Sequence, residues 1–318
     1  MTKFLVTGGA GFIGSNIINR LLSDGHEVSA LDNFSTGRRE NIATFMSNPL
    51  FRFYEADLRH KESLDPIVRG VDFILHQGAL PSIPRSIDDP VTTNNVNILG
   101  TLNILELARQ YRIKRVVFAS SSSIYGNSAT VPKVEEMAVA PISPYALTKY
   151  TAERYCQLYY QIYGLETVCL RYFNVFGPNQ DPTSQYSAVI PKFLRSIAKG
   201  EAPVIFGDGQ QSRDFTYVEN NVEANLIACV AEGVAGEVFN IACGQSYSLL
   251  YLVRALNELM GRNIEPRFGP QRQGEVKNSM ASIDKAQKML KYQPIVHFKE
   301  GLARTIQAFD FGSLILCS

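Results

Sequence analysis

The sequence has almost no net charge, no long apolar run and few cysteines, and each of these absences excludes a class of protein. Lys and Arg number 31 against 30 Asp and Glu residues, so no sequence-wide field draws the chain to nucleic acid or to an anionic membrane. No apolar run approaches the roughly 18 residues that a membrane span requires. Any anionic ligand must therefore be bound by a local site.

The cysteines exclude two further kinds of site. They are odd in number and widely spaced, without a CxxC pair, at Cys156, Cys169, Cys229, Cys243 and Cys317. They indicate neither a disulfide framework nor a zinc site, and we expect no metal. The first residues also lack the charged start, apolar stretch and cleavage site of a secretory signal. We therefore expect a protein of the reducing cytoplasm.

What the sequence does contain is a regular alternation in its first half. Short β-branched apolar runs alternate with longer amphipathic stretches, which is the pattern of βαβ units around a parallel sheet. The predicted strands are residues 3–7, 28–31, 51–56, 73–76, 114–119 and 166–171. The predicted helices are residues 13–24, 63–69, 91–111 and 145–163. Six strands with their crossovers predict an α/β fold with a Rossmann-like, doubly wound parallel sheet.

The alternation breaks down after Gly177-Pro178, where turn-rich pieces interrupt the pattern. We expect a first domain over residues 1–175 and a smaller, mixed α/β lobe over residues 176–318, with segments near 212–243 as candidates to return to the first. The predicted elements here are helices at 188–198, 218–232 and 249–260 and a strand at 237–242. The apolar segment 311–318 is too short to interpret.

A glycine-rich segment, TGGAGFIG at positions 7–14, follows the first predicted strand and opens the first helix. Its glycines fall where a backbone must turn tightly and approach a pyrophosphate, and the amides of the helix N-terminus would face the phosphates. A turn of small residues is the alternative. The position between strand and helix favours a dinucleotide site.

Asp32 ends the second predicted strand, where an acid is expected to accept hydrogen bonds from the adenosine ribose. The same charge repels a 2′-phosphate. Arg38 and Arg39 are an alternative pair that would accommodate NADP, although a solvated loop is the favoured interpretation. We therefore predict NAD.

Tyr145 and Lys149 stand four residues apart, so both project from one face of a helix. The cation lowers the cost of a phenolate, which makes the phenol a usable base. The alternative is an exposed Tyr-Lys pair. Upstream, the segment SSSSIYG at 120–126 closes the fifth predicted strand, where one hydroxyl can hydrogen-bond the reacting oxygen or merely cap a turn. Four serines in a row leave open which of them acts.

These segments together resemble the extended short-chain dehydrogenase/reductases and, within them, the nucleotide-sugar 4-epimerases. The resemblance covers nearly the whole chain and rests on ordered motifs: TGGAGFIG, Asp57-Leu58, HQGA at 76–79, NNVN at 94–97, SSSSIYG, YALTK at 145–149, RYFNVFGP at 171–178 and RDF at 213–215. It implies an NAD site in which Asp57 and Leu58 flank the adenine and Tyr172 lies beside the nicotinamide. The full set expected around NAD is Gly8, Gly11, Phe12, Ile13, Gly14, Asp32, Asn33, Ser35, Thr36, Gly37, Asp57, Leu58, Gln77, Ala79, Asn95, Ser120, Tyr145, Lys149 and Tyr172.

The resemblance also implies a catalytic trio and a UDP-sugar site. Counting back from Tyr125-Gly126, Ser121 matches the family's catalytic hydroxyl, beside Tyr145 and Lys149. The set expected around the UDP-sugar is Ser82, Ser121, Ser122, Ser123, Tyr145, Asn174, Val189, Phe206, Arg213, Arg272 and Ser279, with both arginines facing the diphosphate. Without the resemblance, Arg213 would be interpreted as half of a surface ion pair with Asp214.

The resemblance is less specific for the reaction. Dehydratases of the family carry an Asp-Glu pair beside the catalytic hydroxyl, where this chain has serines, and the decarboxylases usually have a glutamate just before the Tyr-Gly pair, where it has Ile124. Both departures favour 4-epimerisation. In that reaction Tyr145 takes the 4-hydroxyl proton while hydride passes from C4 to NAD+. The 4-keto sugar then turns over, hydride returns to its opposite face, and Tyr145 gives the proton back.

The sugar itself is predicted from one position. The segment 270–279 resembles the one whose last residue, here Ser279, gates the sugar site, and a small gate leaves space for a 2-acetamido group. With the segment 77–86, this makes the chain look most like the UDP-N-acetylglucosamine 4-epimerases of bacterial surface-polysaccharide pathways. A UDP-glucuronate 4-epimerase or decarboxylase is the enzymatic alternative, and an NAD-sensing regulator is the non-enzymatic one.

The resemblance further implies a homodimer. The predicted helices 91–111 and 145–163 resemble those with which this family makes a two-fold, four-helix interface. The alternative is that these amphipathic helices simply cover the sheet.

Overall fold

The predicted alternation of strands and helices is present in the structure, a computed structural model that describes residues 1–181, 188–271 and 277–309. The strands are β1 (Lys3–Thr7), β2 (Glu27–Asp32), β3 (Phe51–Glu55), β4 (Phe73–His76), β5 (Arg115–Ser121), β6 (Thr167–Tyr172), β7 (Val175–Phe176), β8 (Val204–Phe206), β9 (Ser212–Arg213), β10 (Thr216–Tyr217), β11 (Val238–Ile241), β12 (Tyr247–Ser248), β13 (Arg267–Gly269) and β14 (Asn278–Ser279). The α-helices are α1 (Phe12–Ser23), α2 (Lys61–Val68), α3 (Ile83–Asp88), α4 (Pro90–Asn94), α5 (Gly100–Gln110), α6 (Pro144–Tyr163), α7 (Val189–Ala198), α8 (Val218–Val230), α9 (Leu249–Met260) and α10 (Phe298–Ala308).

Seven strands form a parallel sheet in the order β11-β6-β5-β4-β1-β2-β3. The strands are apolar on both faces because helices cover both, as in other parallel sheets. Helices α1 and α8 contribute to the core on one face, and α2, α5 and α6 to the core on the other. The winding reverses between β1 and β4, so a crevice opens at their carboxyl ends, where such sheets bind ligands. The predicted doubly wound fold is confirmed.

The seventh strand, β11, comes from the second half of the chain. It pairs in parallel with β6, Val238 lying opposite Cys169 and Ile241 opposite Tyr172. Its segment was predicted as a strand, but the count of six strands was too low because periodicity does not reveal which strand is its partner. The division at residue 175 stays a prediction.

The other short strands form small sheets, β7 with β10, β8 with β13, and β9 between β12 and β14. A third apolar core joins α7, α9 and α10 around the aromatic residues Phe176, Phe215, Tyr217 and Phe298. The predicted helix 91–111 is split into α4, a π-helical turn at Asn95–Leu99, and α5. None of the helices in the described ranges is long and apolar enough to cross a membrane.

Candidate active site

A cleft of about 610 Å³ opens at the carboxyl edge of the large sheet. The ends of β1, β2, β4, β5 and β6 and the start of α6 contribute to its wall. The predicted residues that line it are Gly8, Gly11, Phe12, Ile13, Gly14, Asp32, Ser35, Thr36, Gly37, Gln77, Ala79, Ser82, Ser120, Tyr145, Lys149 and Tyr172. Most of the residues predicted to bind NAD are therefore brought together around one space.

The glycine-rich segment forms the floor of this cleft where β1 passes into α1. Gly8 has a φ of +66°, and a Cβ there would lie 2.8 Å from the backbone of Gly78. The N-cap of α1 is Gly11, which has no side chain to accept hydrogen bonds from the first-turn amides. Those amides therefore remain available to an anion, and their partial positive charge suits a pyrophosphate.

A buried hydrogen-bond chain fastens the end of β4 to this segment. The amide of Gly78 donates to Thr7 Oγ1 (3.0 Å), and His76 Nδ1 lies 2.6 Å from the same hydroxyl. His76 Nε2 lies 3.0 Å from Thr101 Oγ1 on α5. Burial lowers the pKa of His76 to about 3, so the ring is neutral at physiological pH. We assign His76 a structural function beneath the cleft.

Asp32 is buried at the end of β2 and faces the same cleft. Its carboxylate accepts hydrogen bonds from the amides of Ala10 (3.0 Å) and Phe34 (2.8 Å), and burial raises its pKa. A Cβ at Gly37 would lie 2.8 Å from this carboxylate. Asp32 therefore fixes both loops that border the predicted ribose position, a second function that the sequence did not indicate.

The two arginines that would favour NADP are engaged in ion pairs. Arg39 pairs with Glu55 at 2.9 Å and lies over the ring of Phe34. Arg38 lines the cleft but pairs with Glu40 at 3.3 Å. Together with the negative charge of Asp32, this arrangement fits a free ribose hydroxyl better than a phosphate.

A smaller cavity lies beside the cleft at the predicted adenine end. Asn33, Asp57 and Leu58 line it, together with Ala79 and Val96. Asp57 accepts hydrogen bonds from Arg59 (2.7 Å) and Asn33 (2.9 Å), which hold the pKa of its carboxyl well below the usual range. Asn95, predicted to line the dinucleotide, is not among the residues that line either cavity.

Helix α6 presents Tyr145 and Lys149 to the cleft. The helix begins at Ser143, whose hydroxyl accepts a hydrogen bond from the amide of Ala146, and Pro144 occupies the first turn. Lys149 is only 4% exposed and its Nζ donates to the carbonyl of Ala119 at 2.8 Å. Burial lowers the pKa of Lys149 to about 8. The predicted tyrosine and lysine therefore share one face, at the end of β5.

The four serines at the end of β5 make different hydrogen bonds. Ser120 donates to the carboxylate of Glu153 at 2.6 Å, within the core. Ser121 Oγ accepts hydrogen bonds from the amide and hydroxyl of Ser123 (3.2 and 2.9 Å), so its own hydrogen can be donated. Burial raises the pKa of Tyr145, and a hydrogen bond from Ser121 lowers it. The geometry therefore distinguishes Ser121 from Ser120, which the sequence alone did not.

Glu153 was missed by the sequence analysis. It lies one helical turn beyond Lys149 on the same face of α6, and that spacing is the signal that would have found it. Its carboxylate pairs with Arg171 at 2.7 Å, and both side chains are buried. The ion pair anchors the ends of β5 and β6 to α6.

The residues predicted to hold the UDP-sugar are less closely grouped. Ser82 lines the cleft, Ser122 and Ser123 lie in the 3₁₀ turn after β5, and Val189 opens α7 next to the cleft residue Ala188. Phe206 lies on β8 opposite Gly269. Among the described residues of this set, Ser121, Ser122, Ser123, Asn174, Val189, Phe206, Arg213 and Ser279 are not part of the cleft wall. Arg272 lies outside the described residues.

Arg213 and Ser279 nevertheless face each other across a strand pair. They are register partners in the parallel pairing of β9 with β14. The neighbouring Asp214 is fully buried, and its carboxylate accepts hydrogen bonds from the amides of Cys243 (2.9 Å), Gly244 (3.1 Å) and Ala281 (3.2 Å). The interpretation of Arg213 and Asp214 as a surface ion pair is therefore wrong, because Asp214 is not at the surface.

Residues 4–242 match the model of the NAD dependent epimerase/dehydratase family. The chain belongs to this family. The UDP-glucose 4-epimerase of Mycolicibacterium smegmatis is 37% identical over 314 residues, which cover 96% of this chain and 98% of that protein.

Solved structures of relatives have the same fold. The UDP-N-acetylglucosamine 4-epimerase of Methanobrevibacter ruminantium, in complex with UDP-N-acetylmuramic acid, has a TM-score of 0.91 at 37% identity and covers 97% of this chain and 98% of its own. The UDP-glucose 4-epimerase of Thermus thermophilus, in complex with NAD, has a TM-score of 0.87 at 36% identity, with coverages of 96% and 98%.

Family membership confirms the predicted cofactor, NAD. The described residues of this epimerase/dehydratase fit it, since the uncapped amides of α1 and the buried Asp32 border one continuous cleft. Homologues of the chain are UDP-sugar 4-epimerases.

Proposed function

We propose that this family member is a 4-epimerase that interconverts UDP-N-acetylglucosamine and UDP-N-acetylgalactosamine, with the UDP-glucose pair as further substrates. The observation that supports this most directly is the pair of Tyr145 and the buried Lys149, which lie one helical turn apart on α6 and both line the NAD cleft. A sugar hydroxyl at this wall would meet both a base and the cofactor, and Ser121 follows the wall residue Ser120 at the end of β5.

Each of the three residues has a distinct task in the proposed mechanism. NAD, when bound, supplies a reversible hydride acceptor for C4 of the sugar. Tyr145 takes the proton of the 4-hydroxyl and returns it after the transient 4-keto sugar has turned. Ser121 donates its hydrogen toward the phenolic oxygen. Lys149, whose pKa of about 8 leaves it protonated at pH 7, would favour by its positive charge the phenolate that Tyr145 needs in order to accept the proton.

The preference for an N-acetylated sugar rests on Ser279. Its side chain is small, and its register partner is Arg213, which we expect to face the diphosphate. Anchoring by the diphosphate would hold the nucleotide while leaving the sugar free to turn. A small residue opposite Arg213 leaves space for the 2-acetamido group of the sugar.

One incubation tests the proposal. The purified protein is supplied separately with UDP-N-acetylglucosamine, UDP-glucose and UDP-glucuronate, and the products are identified by NMR. We expect inversion at C4, fastest with the N-acetylated sugar. Exclusive turnover of the uronic acid, with or without loss of a carbon, would replace the proposal by a glucuronate epimerase or decarboxylase. NAD binding without turnover of any of the three would indicate an NAD-sensing regulator.

We also propose that the protein is a homodimer. Helices α4 and α6 pack against each other, and α6 carries an exposed apolar stripe of Leu147, Leu158 and Ile162. Val91 on α4 and Leu99 in the adjoining π turn are exposed as well. Exposed apolar side chains gathered on neighbouring helices are typical of a protein interface.

Light scattering after gel filtration tests the homodimer. Leu147→Glu combined with Ile162→Glu should convert a dimer to a monomer, because two carboxylates per subunit would be buried at the interface. Val230→Glu, at an exposed apolar site on α8, is the matched control and should stay dimeric. A monomeric parent protein or a dimeric double variant would contradict this assignment.

A further inference from the structure

A closed ring of hydrogen bonds joins three side chains behind the cleft. Asn225 Nδ2 donates to the hydroxyl of Tyr172 at 2.7 Å. That hydroxyl donates to Gln77 Oε1 at 3.2 Å, and Gln77 Nε2 donates to Asn225 Oδ1 at 3.1 Å. Tyr172 and Gln77 line the cleft, whereas Asn225 lies on α8 and is fully buried.

A ring of this kind can run in two directions, and a further contact of Asn225 selects one of them. Each amide gives one N–H and receives one hydrogen at its oxygen, and the phenol does both. Reversing either amide would place an N–H against another N–H or an oxygen against an oxygen. Asn225 Nδ2 also donates to the backbone carbonyl of Asn221 at 2.7 Å, which fixes its amide to the helix. Asn225 therefore dictates the orientation of the other two side chains.

The ring also connects elements that are distant in sequence. Gln77 follows β4, Tyr172 ends β6, and Asn225 is on the helix that crosses from β10 to β11. The two cleft residues thus take their orientation from a residue that does not reach the cleft. Gln77 retains one further N–H and one further lone pair for a ligand, and the ring of Tyr172 supplies a flat apolar wall.

We propose that Asn225 is a positioning residue for NAD, acting through Tyr172 and Gln77 on the reactive end of the cofactor. The inference rests on NAD as the cofactor and not on the identity of the sugar. Without Asn225, the Tyr172 hydroxyl and the Gln77 amide can rotate, and the cofactor must order them when it binds. The cost of ordering then appears as weaker binding.

The chain provides a matched control for this test. Asn221 lies one helical turn from Asn225, is equally buried, and its side-chain amide has no hydrogen-bond partner among the described residues. Asn225→Leu and Asn221→Leu therefore make the same chemical change on the same helix. Only Asn225→Leu removes a side chain that belongs to the hydrogen-bond ring.

The measurement is the NAD dissociation constant by calorimetry on protein freed of nucleotide, with the unfolding midpoint of the same samples. We expect Asn225→Leu to weaken NAD binding by about three- to tenfold, the size of one net hydrogen bond, and Asn221→Leu to leave it unchanged. Equal NAD affinity in Asn225→Leu and the parent would overturn the proposal, even if the unfolding midpoint fell.

A double-mutant cycle separates positioning from simple stabilisation. Tyr172→Phe combined with Gln77→Leu removes both groups through which Asn225 acts, so Asn225→Leu should have little further effect on NAD affinity in that background. Additive losses would show that Asn225 acts independently of the ring and would overturn the proposal. If Asn225→Leu does not fold, Asn225→Asp, which keeps the acceptor for Gln77 and loses the donor to Tyr172, takes its place in the cycle. Because no sugar is present, failure of the proposed epimerase activity would not affect the result.

Discussion

The dinucleotide side of this molecule, which is the NAD cleft, and its proposed sugar side, which is the region around Arg213 and Ser279, are built by different means. On the dinucleotide side, functional residues lie at the carboxyl ends of strands of one parallel sheet, as Asp32 ends β2 and Ser121 ends β5, or on a helix that packs on the sheet, as Tyr145 does on α6. The parallel sheet places the carboxyl ends of all its strands at one edge, so the residues at those ends lie close together. On the sugar side, Arg213 and Ser279 sit on strands of two residues, β9 and β14.

The sugar side is held together by a buried carboxylate. Asp214 joins the segment after β11 to the segment after β14 through three backbone amides, and its own amide donates to the carbonyl of Ser279 at 2.7 Å. Short strands contribute little stability by themselves. The difference teaches that the cofactor site is a property of the sheet, whereas the sugar site depends on single long-range contacts.

The substitution with the largest expected effect slows catalysis and leaves the dinucleotide side intact. Tyr145→Phe removes the proton acceptor, and we expect epimerisation to fall about a thousandfold, in the range for a lost general base. NAD affinity should change little, because the sheet and its loops are untouched. Product formation by NMR and NAD binding by calorimetry measure the two quantities.

Tyr150→Phe is the control for that loss. Tyr150 lies on the same helix but lines a separate cavity with Glu153 and Arg171, so its variant should keep the parent's rate. A Tyr145→Phe protein that inverts C4 as fast as the parent would remove the basis of the proposed mechanism.

The sequence predicted the dinucleotide side of the molecule better than the sugar side. The strand-end residue Asp32 and the helical residues Tyr145 and Lys149 were predicted to share a site, and the structure places them around one cleft. Glycine spacing, strand ends and helical periodicity are local signals, so the sequence reveals them. The hydrogen bonds of the four serines were not predictable, because Glu153, the partner of Ser120, lies on another element, helix α6. Asn225 was missed for the same reason, because its partners are 148 and 53 positions away.

On the sugar side, local signals were weakest. Strands of two residues have no periodicity to detect, and the pairing of β9 with β14 joins Arg213 to Ser279 across 66 positions. Without the family resemblance, Asp214 would have been interpreted as exposed, because charged residues usually are. Its burial depends on three amide donors that the sequence does not reveal.

The next prediction sharpens the comparison on the sugar side alone. Ser279→Tyr should reduce turnover of UDP-N-acetylglucosamine by about ten- to a hundredfold, the size of an overpacking penalty of 1–3 kcal/mol. Turnover of UDP-glucose and affinity for NAD should be preserved, since neither needs the space that the tyrosine fills. Steady-state rates on both sugars measure the effect, and an equal loss on the two would refute Ser279 as the gate.

The smallest expected effect is on the pH dependence of the free energy of unfolding, to which Asp214 contributes. Burial raises the pKa of this carboxyl to about 6, above the value of an unfolded chain, so the folded state binds the proton more tightly. The contribution to stability is therefore present at low pH and is lost as the pH rises through 6. Between pH 5 and pH 7 the free energy of unfolding should fall by about 1 kcal/mol from this group, and Asp214→Asn should lack that component.

Chemical denaturation of the parent and Asp214→Asn at the two pH values measures this change. The same variant should raise the KM for the UDP-sugar more than the dissociation constant for NAD, because the amides that Asp214 holds follow β11 and β14 and do not belong to the glycine-rich segment. If both ligands weakened equally, the sugar side could not be treated as a separately supported region. Asp214 would then act on the whole sheet, and the contrast between a site built by the sheet and a site built by single contacts would have to be abandoned.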